Sequence, residues 1–191
     1  MKRELYDEQA LQSQLSDPTQ RRKAFEIVVR KFSSQIYWQI RRLVFSHDDA
    51  DDILQNTFMK AWSSLETFRG DSKISTWLFR IATNESLSFL QRKREQLSLD
   101  DPEASVVNSL SSEEYFDGDE AQRSFMQAIA SLPDKQRLVF NMRYFDEMKY
   151  DEISEVLGTS VGALKASYHI AVEKITTLLK KMTKPFGIYC V

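Results

Sequence analysis

From Arg21 to Leu43 the apolar residues Phe25, Val28, Val29, Phe32, Ile36, Ile40 and Leu43 return at helical spacing, with no glycine or proline among them. Amphipathic runs of this kind dominate the chain, which spreads only five glycines and four prolines over 191 residues. No internal repeat and no strand-rich stretch interrupts them. The expected fold class is therefore all-α, and the breaks between runs suggest two small helical domains joined by a flexible acidic linker.

The stretch Ser75–Arg94 constrains function most. At 100° per residue, Ile74, Trp77, Leu78, Ile81, Ala82 and Phe89 fall on one side, while Lys73, Thr76, Arg80, Thr83, Asn84, Gln91 and Arg94 fall on the other. Hydroxyls, amides and guanidinium groups in such a stripe can meet phosphates and base edges along a strand, and Gln91-Arg92-Lys93-Arg94 ends it with clustered positive charge. An ordinary solvated helix face offers the same groups, so the neighbouring segments must decide between the two.

Charge is segregated along the chain. Residues 20–95 hold 14 Lys/Arg against 9 Asp/Glu, whereas residues 96–118 hold six acids and no base. Residues 119–184 hold 10 bases against 9 acids, and the overall net charge of −2 conceals this pattern. The expected division is a polar arm at 1–20, a basic domain at 21–95, an acidic linker at 96–118, a nearly neutral domain at 119–184 and a tail at 185–191. The arm is read as loosely held or as one short helix, with a turn at Asp17-Pro18.

The single cysteine, Cys190, excludes an internal disulfide and fits a reducing cytoplasm. Two isolated histidines, His47 and His169, cannot with it assemble a typical zinc site. There is no phosphate-binding glycine loop and no nucleophile paired with a base, so neither an enzyme nor a bound cofactor is expected. No apolar run approaches a membrane span, and no membrane insertion is expected.

Between the first long run and the striped helix lies SHDDADDILQNTFMKAWSSLETF, whose aspartates 48, 49, 51 and 52 suit the first turns of a helix starting after Ser46 or His47. Its buried face is Ile53, Leu54, Phe58, Ala61, Trp62 and Leu65. Asp52, Gln55 and Met59 stack on another face, either as a docking surface for a partner helix or as a solvated face with one exposed Met. The loop Phe68-Arg69-Gly70-Asp71-Ser72-Lys73 then supplies an aromatic ring, a guanidinium, exposed backbone and an ammonium, groups suited to holding an unstacked base.

In the second domain, Phe125, Met126, Ile129 and Leu132 mark one helix, and Pro133 opens the next, through Val139, Phe140, Met142 and Tyr144. Tyr150, Ile153 and Leu157 give a short helix, Gly158 a left-handed turn and Ser160 the cap of a longer helix. That helix turns Val161, Leu164, Tyr168, Ala171, Ile175 and Leu178 inward. Gly162, Ala163, Lys165, Ala166, Ser167, His169 and Ile170 lead its outer face, small enough for a major groove and able to reach phosphates or base edges. The pattern is that of a helix-turn-helix, although a core αα-hairpin shares its short loop.

Four stretches in this order, AFEIVVRKF, DDADDILQNTFMKAW, FRGDSKISTWLFRIATNESLSFLQRKR and SLPDKQRLVFNMRYFDEMKYDEISEVLGTSVGALKAS, resemble the extracytoplasmic-function group of bacterial RNA polymerase sigma factors, of the sigma-70 family. The resemblance implies a sigma-2-like bundle and a sigma-4-like helix-turn-helix domain. It implies core RNA polymerase and promoter DNA as partners, and a cognate anti-sigma factor. It carries core binding onto Asp52, Gln55 and Met59. Capture of the melted −10 strand maps onto Phe68, Arg69, Lys73, Thr76, Trp77, Arg80 and Asn84, with Arg92 and Lys93 placed for backbone charge. Contact with −35 DNA maps onto Ser160, Gly162, Lys165, Ala166, Ser167 and His169. Where relatives continue with several arginines this chain reads Ser167, Ile170 and Val172, which shifts phosphate anchoring to Lys149, Lys165 and Lys174. The competing reading is a one-component helix-turn-helix regulator whose first domain senses or dimerises.

Overall fold

The computed structural model describes residues 7–68, 70–100 and 120–182, so Arg69, residues 101–118 of the acidic linker, the tail and Cys190 lie outside the described residues. The described residues form eight α-helices and one short 3-10 turn, with no strand. Two compact units result, Met1–Glu95 and Gln96–Val191.

The first unit is built on α1 (Glu8–Ser16), α2 (Arg21–Val44), α3 (His47–Ser63) and, up to Glu95, α4 (Ile74–Asp100), with the 3-10 turn Leu65–Thr67 between the last two. Of the two readings of the arm, the short helix is the one observed. Asp7 caps α1 by accepting from the backbone N–H of Gln9 and Ala10, and Leu11 and Leu15, one turn apart, are both buried. At its end the exposed Asp17 carboxylate accepts from the Thr19 backbone N–H, the Thr19 hydroxyl and the Gln20 amide, which holds its pKa below the usual carboxylate value.

The apolar repeat of α2 buries Val28, Ile36, Ile40 and Leu43, and the helix stops where Phe45 takes a left-handed φ of 65°. Ser46 caps α3 by accepting from the Asp49 N–H, with Asp48 and Asp49 in the first turn against the positive end of the helix dipole. From α4 the core receives Ile74, Leu78, Phe79, Ala82 and Leu90. This last helix overruns the expected linker boundary at Gln96 and continues to Asp100, because the sequence offers no breaker before Pro102.

The second unit comprises α5 (Glu120–Ala130), α6 (Asp134–Tyr144), α7 (Tyr150–Leu157) and α8 (Val161–Met182). Met126, Ala128, Ile129, Leu132, Phe140, Ala171 and Ile175 form its core, flanked by Phe125, Phe145, Tyr168 and Val172. The Phe140 ring stacks on Tyr144 and Tyr168 at centroid distances of 5.2 and 5.7 Å. Between α5 and α6 the buried Arg137 guanidinium donates to the carbonyls of Ala130 and Leu132 and to the Asp134 carboxylate, tying off the end of one helix and the start of the next. Gly158 ends α7 at φ 61°, ψ 28°, with its N–H on the Ser154 carbonyl, as a left-handed cap requires.

Candidate nucleic-acid interface

On α3 the residues Asp52, Gln55 and Met59 are all exposed, Met59 by 62 %, and they follow one another along one face of the helix. Beside Met59 lies a concavity of about 650 Å³ that also takes in Asn56, Lys60 and Ser63 from α3 and Glu85, Ser88 and Arg92 from α4. Lys60 spans it to Glu85 at 2.5 Å. Arg92, expected on the −10 path, thus shares a surface with Met59. The helical spacing of 56, 60 and 63 against 85, 88 and 92 is a signal that the sequence reading did not use.

The segment between α3 and α4 forms a second concavity of about 410 Å³, lined by Thr67, Phe68, Asp71, Ser72, Trp77 and Arg80. The Phe68 and Trp77 rings lie 4.7 Å apart at 32°, with both residues half-buried. Trp77 therefore serves both packing and the cavity wall. Of the residues expected to face a melted strand, the structure brings Phe68, Trp77 and Arg80 into this hollow. Lys73 is exposed at its edge in sequence, and Asn84 is exposed one helical turn beyond Arg80. Asp71 and Ser72 belong to the loop expected to hold a base, whereas Thr67 was not foreseen as a lining residue.

The place of the two threonines on the donor stripe needs correction. Thr76 is only 3 % exposed and Thr83 only 2 %, so neither hydroxyl reaches solvent, and Thr76 cannot contact a strand without unpacking α4. The Thr83 hydroxyl instead accepts from the buried Gln39 amide of α2 at 2.9 Å. Lys93, expected to neutralise phosphate, donates to Asp49 of α3 at 2.6 Å, which matches its charge inside the unit. Exposed along the stripe remain Lys73, Arg80, Asn84, Gln91 and Arg94.

In the second unit the helix-turn-helix is α7, the Gly158 turn and α8. The Ser160 hydroxyl accepts from the Ala163 N–H at 3.4 Å, so this residue caps the helix. Gly162, Ala163, Lys165, Ala166, His169 and Ile170 are exposed and Ser167 is half-buried. The Lys165 ammonium lies 5.8 Å from the centroid of the Tyr150 ring. His169 sits 3.4 Å from Glu173, an acid on the outer face that the sequence reading left out. Val172 packs against the core; of the three lysines expected to anchor phosphate, Lys149 and Lys165 are exposed and Lys174 donates to Gln136 at 3.0 Å.

Comparison with known proteins bears on both units. Residues 28–96 match the family model Sigma-70 region 2, and residues 122–175 match Sigma-70, region 4. The chain is 30% identical over 169 residues to the ECF RNA polymerase sigma factor SigW of Bacillus subtilis, covering 83% of this chain and 90% of that protein. The chain belongs to the ECF group of RNA polymerase sigma factors. This sigma factor is also 30% identical over 189 residues to the RNA polymerase sigma-H factor of Pseudomonas aeruginosa, covering 90% and 95% of the two chains. Its fold matches the sigma factor RpoE of Bartonella quintana, solved in complex with the anti-sigma factor NepR. That match has a TM-score of 0.67 and 26% identity over 83% of this chain and 98% of that one. As a member of the family it binds core RNA polymerase and directs promoter-specific initiation of transcription. The one-component regulator yields to this assignment, because a sensing domain does not account for a first unit that matches region 2.

Proposed function

We propose that the first unit docks this sigma factor on core polymerase through Asp52, Gln55 and Met59 and receives an unstacked base of the −10 strand in the Phe68–Trp77–Arg80 hollow. The observation that carries this reading is the aromatic pair opening into a concavity bordered by a guanidinium. Base stacking on aromatic rings contributes about 1–3 kcal/mol per base, and the adjacent cation favours the phosphate. Asn84, with an amide that both donates and accepts, reads a base edge beyond the hollow. Arg92 lies beside Met59 and is assigned to the polymerase side. The second unit presents α8 to the major groove of the −35 element through Gly162, Lys165, Ala166 and His169, with Ser160 holding the start of the helix.

The division of labour follows the sequence segments: 21–95 for core and −10, 119–184 for −35, and 96–118 as the tether. Such a factor contributes recognition and carries no catalytic chemistry of its own, and it acts where the polymerase is, in the cytoplasm. No helix among the described residues is long and apolar enough to cross a membrane. An anti-sigma factor is the proposed inhibitory partner, supported by the partner in the B. quintana RpoE complex.

Core docking is tested by Asp52→Ala combined with Gln55→Ala. Because both side chains are exposed, the helix content and melting temperature should hold while the affinity for core polymerase falls by about tenfold or more, the range of interface hot spots. Unchanged affinity removes these residues from the interface. Base reading is tested by Asn84→Ala on a randomised −10 library. Loss of a base-edge contact should cost about 1–3 kcal/mol at one position and change which sequences are transcribed. An equal drop at every sequence would assign Asn84 to strand positioning alone.

A further inference from the structure

We propose that α1 is a strut for the base-receiving loop, with Glu8 and Gln12 as positioning residues for −10 selectivity. The proposal rests on the reading of the Phe68–Trp77–Arg80 hollow as the −10 base site. Glu8 accepts at 2.6 Å from the backbone N–H of Ile74, the first residue of α4. That N–H is one of the donors a helix start cannot satisfy internally, and a carboxylate there also complements the helix dipole. One turn further along α1, the Gln12 side-chain amide donates to the Ser72 carbonyl at 3.2 Å. Gly70 has φ 76°, and a Cβ placed there would sit 3.4 Å from the Gln12 Oε1, so the loop backbone runs directly against this side chain.

The strut is itself seated. Leu11 and Leu15 are buried, and Arg21 donates to the Leu15 carbonyl at the end of α1 and reaches Glu66 in the 3-10 turn at 3.2 Å. The segment from Glu66 to Ile74 is thus held near both ends, and between those ends it supplies Thr67, Phe68, Asp71 and Ser72 to the hollow. Trp77 and Arg80 follow within the first two turns of the helix that Glu8 caps. A loop that selects a base must keep its walls in place before the base arrives, since a shift of about 1 Å in a supporting element is enough to lose selectivity. Neither Glu8 nor Gln12 lines the hollow, so their effect on recognition passes through the backbone that they hold.

The test uses the full chain assembled with core polymerase and reads binding of labelled single-stranded −10 oligonucleotides, the preferred sequence against singly changed ones. Glu8→Ala and Gln12→Ala should each reduce the preference between these oligonucleotides by about tenfold, with core affinity unchanged. Glu8→Gln should keep most of the preference, because its amide oxygen still accepts from the Ile74 N–H. Gln12→Glu, which has no donor for the Ser72 carbonyl, should behave like Gln12→Ala. A purely structural role for α1 would instead lower the melting temperature and weaken all oligonucleotides and core binding together, and that result overturns the proposal. So does an unchanged preference in Glu8→Ala and Gln12→Ala when Trp77→Ala shifts it. If Trp77→Ala also leaves the preference unchanged, the assignment of the hollow as the base site fails, and the strut falls with it.

Discussion

Replacing Leu78 with alanine is expected to lower the stability of the first unit by about 2–5 kcal/mol, the range for emptying a fully buried leucine site. Leu78 is 0 % exposed and stands next to Trp77 on α4, so the same helix turn faces the core and the Phe68–Trp77–Arg80 hollow. The measurement is unusually clean, because all three tryptophans, Trp38, Trp62 and Trp77, belong to the first unit. Denaturant unfolding followed by tryptophan fluorescence therefore reports that unit alone. Its midpoint should move to lower denaturant with little change in slope. A shift below about 1 kcal/mol would mean that the neighbouring side chains collapse into the space.

Arg137→Ala should be as damaging to the second unit, at about 3–5 kcal/mol, because it removes a buried guanidinium together with the ion pair and the carbonyl hydrogen bonds it makes. The Arg137 side chain is 3 % exposed and that of Asp134 is 15 %. Alanine would take the Arg137 donors away from the Asp134 carboxylate and from the carbonyls of Ala130 and Leu132. Arg137→Met restores volume but no donor, so it should remain strongly destabilised; adding Asp134→Ala to it should recover part of the loss. A double-mutant cycle on thermal unfolding, followed by far-UV circular dichroism, measures that coupling. Strict additivity of the two changes would show that the pair does not act as a unit.

The contrast between these two sites shows what could be read in advance. Leu78 announced itself by helical spacing, as did Ile36, Ile40 and Leu43 on α2 and Leu164, Ala171 and Ile175 on α8, because burial of an apolar stripe is a one-dimensional pattern. Gly158 and Ser160 were legible as turn and cap for the same reason: their chemistry is local. Arg137 gave no such sign, since a charged residue in a helix is ordinarily solvated and only the neighbouring carbonyls make its burial tolerable. Thr76 and Thr83 misled in the opposite sense. Helix α4 is buried over more than half of its circumference, so the rim of its polar stripe turns inward, and the Thr83 hydroxyl finds the Gln39 amide from a helix 44 residues earlier. The hydrogen bonds of α1 to the loop at Ser72 and Ile74 were likewise invisible, spanning 60 and 66 residues. What escaped was long-range pairing of polar groups, for which the chain carries no periodic mark.

Two glycines at the helix-turn-helix, four positions apart, have opposite meanings for the future of the sequence. Gly158 is bound by its positive φ, which side chains other than glycine adopt only with strain. Gly162 lies in ordinary helical conformation, and a Cβ added there meets nothing within 4 Å. Filling it with a longer residue would bring about 1 kcal/mol of helix propensity rather than a penalty. With Ala163 and Ala166 exposed alongside it, the outward side of α8 is close to blank paper. New lettering can be written there without disturbing the scaffold beneath, so, with α8 as the proposed −35 reader, the DNA address would be free to drift, or to be engineered, independently of the fold.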